Sequence, residues 1–414
     1  MVEKFCVSCG TEISGADSFC FKCGAKIVNE EKEQHVPTEV ASYSYEERNE
    51  VSAKPDKVIK SKRNYKPLII IPIILGLILI PVATISTISS IKVSLGTLKY
   101  EIPSTDILSV DLIINNDVGS ITIDYDASLD GLFEAEIEVR GGLRASLDDA
   151  VNFNHEVVGG KVVISFDTGY DIYRFLSMKQ ISHQIHVTLN PGAIVNFNVE
   201  TSTGSIKVYL NGIDNITIED VSLISSTGSV KLIVDYVSNT TFGDVLMDTS
   251  TGSITFDMYA SVDASIRGLT LGCSTGRIDA YLGEAMIINA STVDISTSTG
   301  SIELQYKNII QYNDLIWNLD TSTGSIAIYY EQTTLPPVNC SSIYNVETST
   351  GSITVDCLVN TELGIEMDAD TSTGSINLPG DRNYYSSPDF LLKACQHSFI
   401  LTTSTGSITA SVSN

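Results

Sequence analysis

A chain of 414 residues, 43% hydrophobic and 18% charged, is too apolar for a disordered polypeptide and long enough for two or three domains. Its net charge of −25 is unevenly placed, since residues 1–67 hold 11 basic and 11 acidic side chains while residues 91–414 hold 14 and 39. So acidic a body repels phosphate backbones, and no nucleic-acid partner is expected for it.

Residues 1–27 contain FCVSCGTEISGADSFCFKCG, in which Cys6, Cys9, Cys20 and Cys23 make two C-x2-C pairs, each followed by glycine. Two such knuckles bring four thiolates around one ion, which predicts a single structural zinc in a closed tetrahedral site. So short a unit folds with its metal. The segment resembles the zinc-ribbon domains that open many prokaryotic, especially archaeal, membrane proteins. That resemblance implies a protein or nucleic-acid partner, and the even charge balance favours a cytoplasmic protein or no partner.

Residues 28–66 are polar, without apolar periodicity, and read as a flexible linker ending in Lys54, Lys57, Lys60, Lys62, Arg63 and Lys66. Residues 67–90 enclose an uncharged run from Leu68 to Ile88, enough for the ~20 residues a bilayer core requires. The basic flank predicts a single-pass membrane anchor with a cytoplasmic N-terminus and the acidic C-terminal part extracellular. A reducing compartment for the four cysteines follows, and with it zinc in preference to disulfides.

Residues 91–200 form an irregular β region, with alternating runs at 108–114, 120–125, 133–139, 161–166 and 183–189. Gly119 stands in a degenerate copy of the later repeat, and the stretch from there to Gly204 reads as about three worn rungs or a cap. An atypical end is what a solenoid needs.

From residue 201 onward the phrase Thr-Ser-Thr-Gly-Ser-Ile organises the chain. Full or near copies start at Thr201, Ser225, Thr249, Cys273, Thr297, Thr321, Thr348, Thr371 and Thr403, with glycine steps of 24 residues five times and then 27, 23 and 32. Residues seven and five before each glycine are apolar, as are those two and four after it. Phe197, Val199, Ile206 and Val208 are the first such set. These are period-2 faces whose parity switches at the glycine, so each Thr-Gly step is a corner or bulge where glycine supplies positive φ. The expectation is a mainly β chain whose residues 201–414 form a right-handed parallel β-solenoid (β-helix), with rungs ~4.8 Å apart in chain order.

The small residue three before each glycine, a hydroxyl everywhere but at Cys273, predicts structural Thr and Ser ladders at the corner. A residue repeated nine times is a poor nucleophile, and no catalytic residue is assigned. Outward acids at Glu200, Asp248, Asp320, Glu347 and Asp370 read as a solvated face, with calcium as the lesser alternative. Cys273 and Cys357 fall at inward places as buried thiols. Cys340 and Cys395 belong to rungs two apart, ~9.6 Å in a chain-order stack, which disfavours a disulfide. Asn215, Asn239, Asn289 and Asn339 head glycosylation triplets.

The repeat, with HVTLNPGAIVNFNVETSTGSI over residues 186–206, resembles the putative adhesin domains of bacteria and archaea across residues 106–414. The resemblance implies a β-solenoid ectodomain with a structural or adhesive surface role and an extracellular glycan or protein ligand, and names no ligand. Relatives in envelope-stress systems imply the alternative of an envelope sensor signalling through the zinc ribbon. A polysaccharide-active β-helix enzyme is the third reading, disfavoured because no singular carboxylate or basic cluster stands out of the repeat.

Overall fold

In a computed structural model the protein divides into two units, Met1–Leu68 and Ile69–Asn414. The first is described at β1 (Lys4–Phe5) and β2 (Glu12–Ile13) alone, an antiparallel pair with Phe5 opposite Glu12. The second is described over residues 93–414 except 104–108, 143–144, 148–149, 160, 169–180, 213, 260–263, 284–285 and 381–382. Cys6, Cys9, Cys20, Cys23 and the apolar run 68–88 therefore lie outside the described residues. Among the described residues no helix is long and apolar enough to cross a membrane.

The second unit is a parallel β-solenoid with two faces. Each rung contributes a leading strand before its glycine and a trailing strand after it, as Thr217–Thr227 and Val230–Asp235 do around Gly228. Leading strands stack only on leading strands and trailing on trailing, all parallel along the repeat. Leu223 lies opposite Met247 in one sheet, and Leu232 opposite Phe256 in the other. The predicted inward residues are buried, from Phe197 and Val199 to Leu401 and Ala410, with Thr371 and Ile376 partly exposed. From Gly204 to Gly351 the place six after the glycine is also inward, which supplies Leu210, Met258, Tyr306, Tyr330 and Cys357 to the core.

Each repeat glycine has φ between +142° and +156°, a region that favours glycine. A second reason was not legible in the phrase. A Cβ on any of them would sit 1.5–2.0 Å from the carbonyl oxygen of the glycine in the adjacent rung, so the column closes only where there is no side chain. That carbonyl is also where the corner hydroxyls go. Ser225 Oγ donates to Gly204 O at 3.0 Å and Thr249 Oγ1 to Gly228 O at 2.9 Å, with Thr321, Thr348 and Thr403 repeating the bond at 3.2–3.3 Å. The predicted ladder exists, as hydroxyl to glycine carbonyl and not hydroxyl to hydroxyl.

At the N-terminal end the two expected alternatives, about three worn rungs or a cap, occur together with fewer rungs than three. Strands β3 (Val93–Pro103), β4 (Ser109–Tyr125), β5 (Gly131–Gly141), β6 (Asn152–Val158), β7 (Lys161–Asp167) and β8 (Ile181–Leu189) build one complete rung, one split rung and a cap. β4 is the complete rung and pairs directly with β9 (Ile194–Thr203) and β10 (Ile206–Asn211), Gly204 resting on Gly119. β7 and β8 form the split rung on its other side, in parallel. β5 and β6 then pair antiparallel to β8 and β7, and β3 antiparallel to β5. The chain therefore leaves β4, makes the cap, and returns past β4 to begin the repeat.

At the C-terminal end chain order is again not spatial order. Ser341–Thr350 pairs with Cys395–Thr405, and that strand pairs on its other side with Leu363–Thr373. The glycine column runs Gly324, Gly351, Gly406, Gly374. Tyr384–Ser386 finishes the leading sheet antiparallel to Leu363–Thr373. This corrects the chain-order stack, and it places Cys340 and Cys395 on neighbouring rungs. The aromatic core favours this order: Trp317, Tyr344 and Phe399 stack in sequence, with ring centroids 5.6 and 4.3 Å apart. In chain order Met367 would lie against Tyr344 instead.

Candidate functional site

The corners carry backbone geometry, so ligand chemistry is sought on outward side chains. Outward residues of the trailing sheet alternate with the core, and the place five after each glycine forms one column, Tyr209, Ile233, Asp257, Tyr281, Gln305, Tyr329, Asp356 and Ser411, in direct register. Aromatic, amide and carboxylate groups thus follow one another at rung spacing, ~4.8 Å. Tyr259, two residues beyond this column, stacks on Tyr281 with ring centroids 4.4 Å apart.

Two hollows open side by side on this face and share Tyr281 and Gln305. One, of about 250 Å³, is lined by Asp257, Tyr259, Arg277, Asp279 and Glu303; the other, of about 260 Å³, by Lys307, Tyr329, Glu331, Asp356 and Ser411. Together they make a groove along the solenoid axis. Its polar groups are held in place: Arg277 ion-pairs with Asp279 and, at 2.5 Å, with Glu303, whose other oxygen accepts from Gln305 Nε2 at 2.8 Å. Partial burial raises the Asp257 carboxyl above its ordinary pKa; Lys231 acts against that rise and Asp279 adds to it. Burial likewise raises the Tyr259 phenol.

Such a face can do two things chemically. Tyrosine rings offer flat apolar area with a polar rim, and fixed carboxylates and an amide accept and donate hydrogen bonds to hydroxyls. Acids outnumber bases along it, so neutral hydroxylated ligands suit it better than anions.

The sequence-assigned zinc ligands Cys6, Cys9, Cys20 and Cys23 lie outside the described residues, and their convergence is not described. Among the described residues no three His, Cys, Asp or Glu side chains gather as a metal site. The outward acids of the leading sheet are interleaved with Ile224, Gly272 and Ser296, and only Asp320 and Glu347 are direct neighbours. Asn215, Asn239, Asn289 and Asn339 are all exposed, and Cys273, Cys340, Cys357 and Cys395 are buried free thiols. The tyrosine groove was missed because the repeat was read for its inward places. Its signal lies at odd offsets after the glycine, where Tyr209, Tyr281 and Tyr329 stand at an outward place five after the glycine.

No protein-family model matches the chain, and no curated protein matches it. Solved structures with similarity to it include a putative adhesin from Parabacteroides merdae (11% identity, 75% of this chain and 95% of that one, TM-score 0.35). A putative adhesin from Bacteroides fragilis (9%, 78% and 98%, TM-score 0.30) and a putative lipid binding protein from Parabacteroides distasonis (13%, 75% and 96%, TM-score 0.33) are similar to it as well. Likeness at this level transfers no ligand.

Proposed function

We propose that this is a single-pass, membrane-anchored surface protein whose solenoid adheres to neutral glycans through the trailing-sheet groove, without catalysing a reaction. The tyrosine column carries the reading: Tyr281 and Tyr329 are two rungs apart, ~9.6 Å, on a fixed face lined with hydrogen-bonding groups. A rung step is close to the length of one pyranose ring, so an extended saccharide laid along the axis meets a ring or a polar group at each unit. Repetition then gives several equivalent weak contacts, which suits avidity. The anchor at 67–90 and the zinc ribbon at 1–27 enter this proposal from the sequence, the ribbon as a cytoplasmic docking unit.

The test is a glycan array probed with the full chain. Binding of neutral oligosaccharides is expected, with affinity falling at least tenfold, about 1.4 kcal/mol, in Tyr281→Ala and in Tyr329→Ala. Uniform non-binding, or binding indifferent to both substitutions, would sink the reading. Separately, elemental analysis of the membrane-extracted full chain is expected to give one zinc per molecule, lost in Cys6→Ser with Cys20→Ser. A metal content that those substitutions leave unchanged rules the ribbon out.

A further inference from the structure

The repeated phrase leaves an ambiguity that the fold has to resolve. The rungs of Gly374 and Gly406 present the same corner, Thr-Ser-Thr-Gly-Ser-Ile, and either could rest on the Gly351 rung with its glycine in the column. Period-2 patterning fixes which face points inward and says nothing about which rung is the neighbour. In the observed order the Gly406 rung is inserted between the other two.

Cys340 and Cys395 distinguish the two orders. Both lie eleven residues before their glycine, in rungs that chain-order stacking would separate by ~9.6 Å, beyond the reach of a disulfide. In the observed order Ser341 is the register partner of Gln396, so the two cysteines that precede them face each other across one strand spacing, ~4.8 Å, within the span of disulfide Cα pairs. The pairing reaches the cysteines themselves: Gln396 N–H donates to Cys340 O at 3.3 Å, and Cys395 Sγ donates to Val338 O at 3.4 Å. Both thiols are buried, Cys340 at 3% and Cys395 at 2% exposed, with Leu363 opposite Cys395 on its far side.

We propose that Cys340 and Cys395 form a disulfide that locks the inserted terminal rung in place and selects this stacking over the chain-order one. The step is thiol–disulfide exchange with a disulfide oxidant, either a small-molecule disulfide or a disulfide oxidoreductase. One thiolate attacks the oxidant and expels one of its sulfurs; the second thiolate attacks the mixed disulfide, forms the Sγ–Sγ bond and expels the other. Two electrons pass to the oxidant, which leaves as two thiols carrying the two protons. Burial beside Cys395 pushes the Cys340 thiol up to about 12, so exchange belongs to the open rung, before the Cys395 strand closes. The proposal stands apart from the ligand reading and rests on the extracellular placement of the solenoid, where a disulfide persists; the glutathione equilibration tests the bond itself without that placement.

The full chain, extracted in detergent, is equilibrated with oxidised and reduced glutathione, then unfolded, alkylated and mapped proteolytically without reduction. A fragment containing Cys340 joined to one containing Cys395 is expected, lighter by two hydrogens than the sum of its parts, with Cys273 and Cys357 alkylated. Full alkylation of Cys340 and Cys395 after oxidation overturns the disulfide, as does their recovery as glutathione adducts. Oxidised protein should melt about 5 °C or more above both its reduced form and Cys340→Ser/Cys395→Ser, which should agree with each other. Equal melting of the oxidised and reduced forms would overturn the lock.

Discussion

Gly300→Ala is expected to cost at least ~4 kcal/mol, far more than a surface glycine substitution, because three penalties coincide at one atom. The backbone there has φ +151°, which an L side chain adopts only with strain. The new Cβ would stand 1.6 Å from Gly276 O, so the rungs have to part by well over an ångström. Parting them also disturbs the bonds across that interface, in which Gly276 N–H donates to Thr299 O and Ile278 N–H to Ser301 O, each now at 2.9 Å. Gly212→Ala is the matched control: its φ is +65°, no heavy atom lies within 4 Å of the added Cβ, and it should cost only about 1 kcal/mol. Solenoid stability resides in nearest-neighbour interfaces, so the Gly300 variant should unfold in two steps, with exchange protection lost first around that rung. Denaturant unfolding and hydrogen exchange report both. A cost within ~1 kcal/mol of the control would refute the glycine column as the closing element.

The second large effect is acid lability of the C-terminal rungs through His397. Its ring is fully buried, between Tyr330 at 5.5 Å and Tyr344 at 6.2 Å, and neither nitrogen has a hydrogen-bond partner. Burial lowers its pKa from 6.5 to about 3. The folded value is depressed, so the neutral ring's contribution is fully present above the unfolded pKa and is lost as pH falls from about 6.5 towards 3. By pH 4.5 the loss is roughly 3 kcal/mol. Tyr330 and Tyr344 are themselves raised well above the ordinary phenol range by burial and remain neutral throughout. His397→Leu should flatten this part of the profile, checked by denaturant unfolding at pH 7.5 and 4.5. Equal pH slopes in both proteins would exclude His397 as the proton acceptor.

Most of the core was legible, because a two-residue period with a parity switch leaves few ways to fold. Leu223, Met247 and Leu271, or Ile254 and Ile278, fall where the alternation put them. The order of rungs was not legible, since identical corners satisfy the same register with any neighbour. It was decided by long-range packing, such as Phe399 on Tyr344 and Gly204 on Gly119, between residues far apart in sequence. The cap was half legible: alternation found the strands at 133–139 and 183–189, while their antiparallel pairing depends on a return path that alternation does not encode. The tyrosine groove lay in plain view at outward places and needed the register to become one surface.

The inserted terminal rung has a mechanical consequence. In a stack laid down in chain order the last rung is held along one side and peels away strand by strand under tension. Here Cys395–Thr405 is bonded along both sides, to Ser341–Thr350 and to Leu363–Thr373. A pull applied at residue 414 must therefore break two ladders together in the leading sheet before any other rung is loaded. The free end of the solenoid is a sheared joint where chain-order stacking would have made an unzipping one.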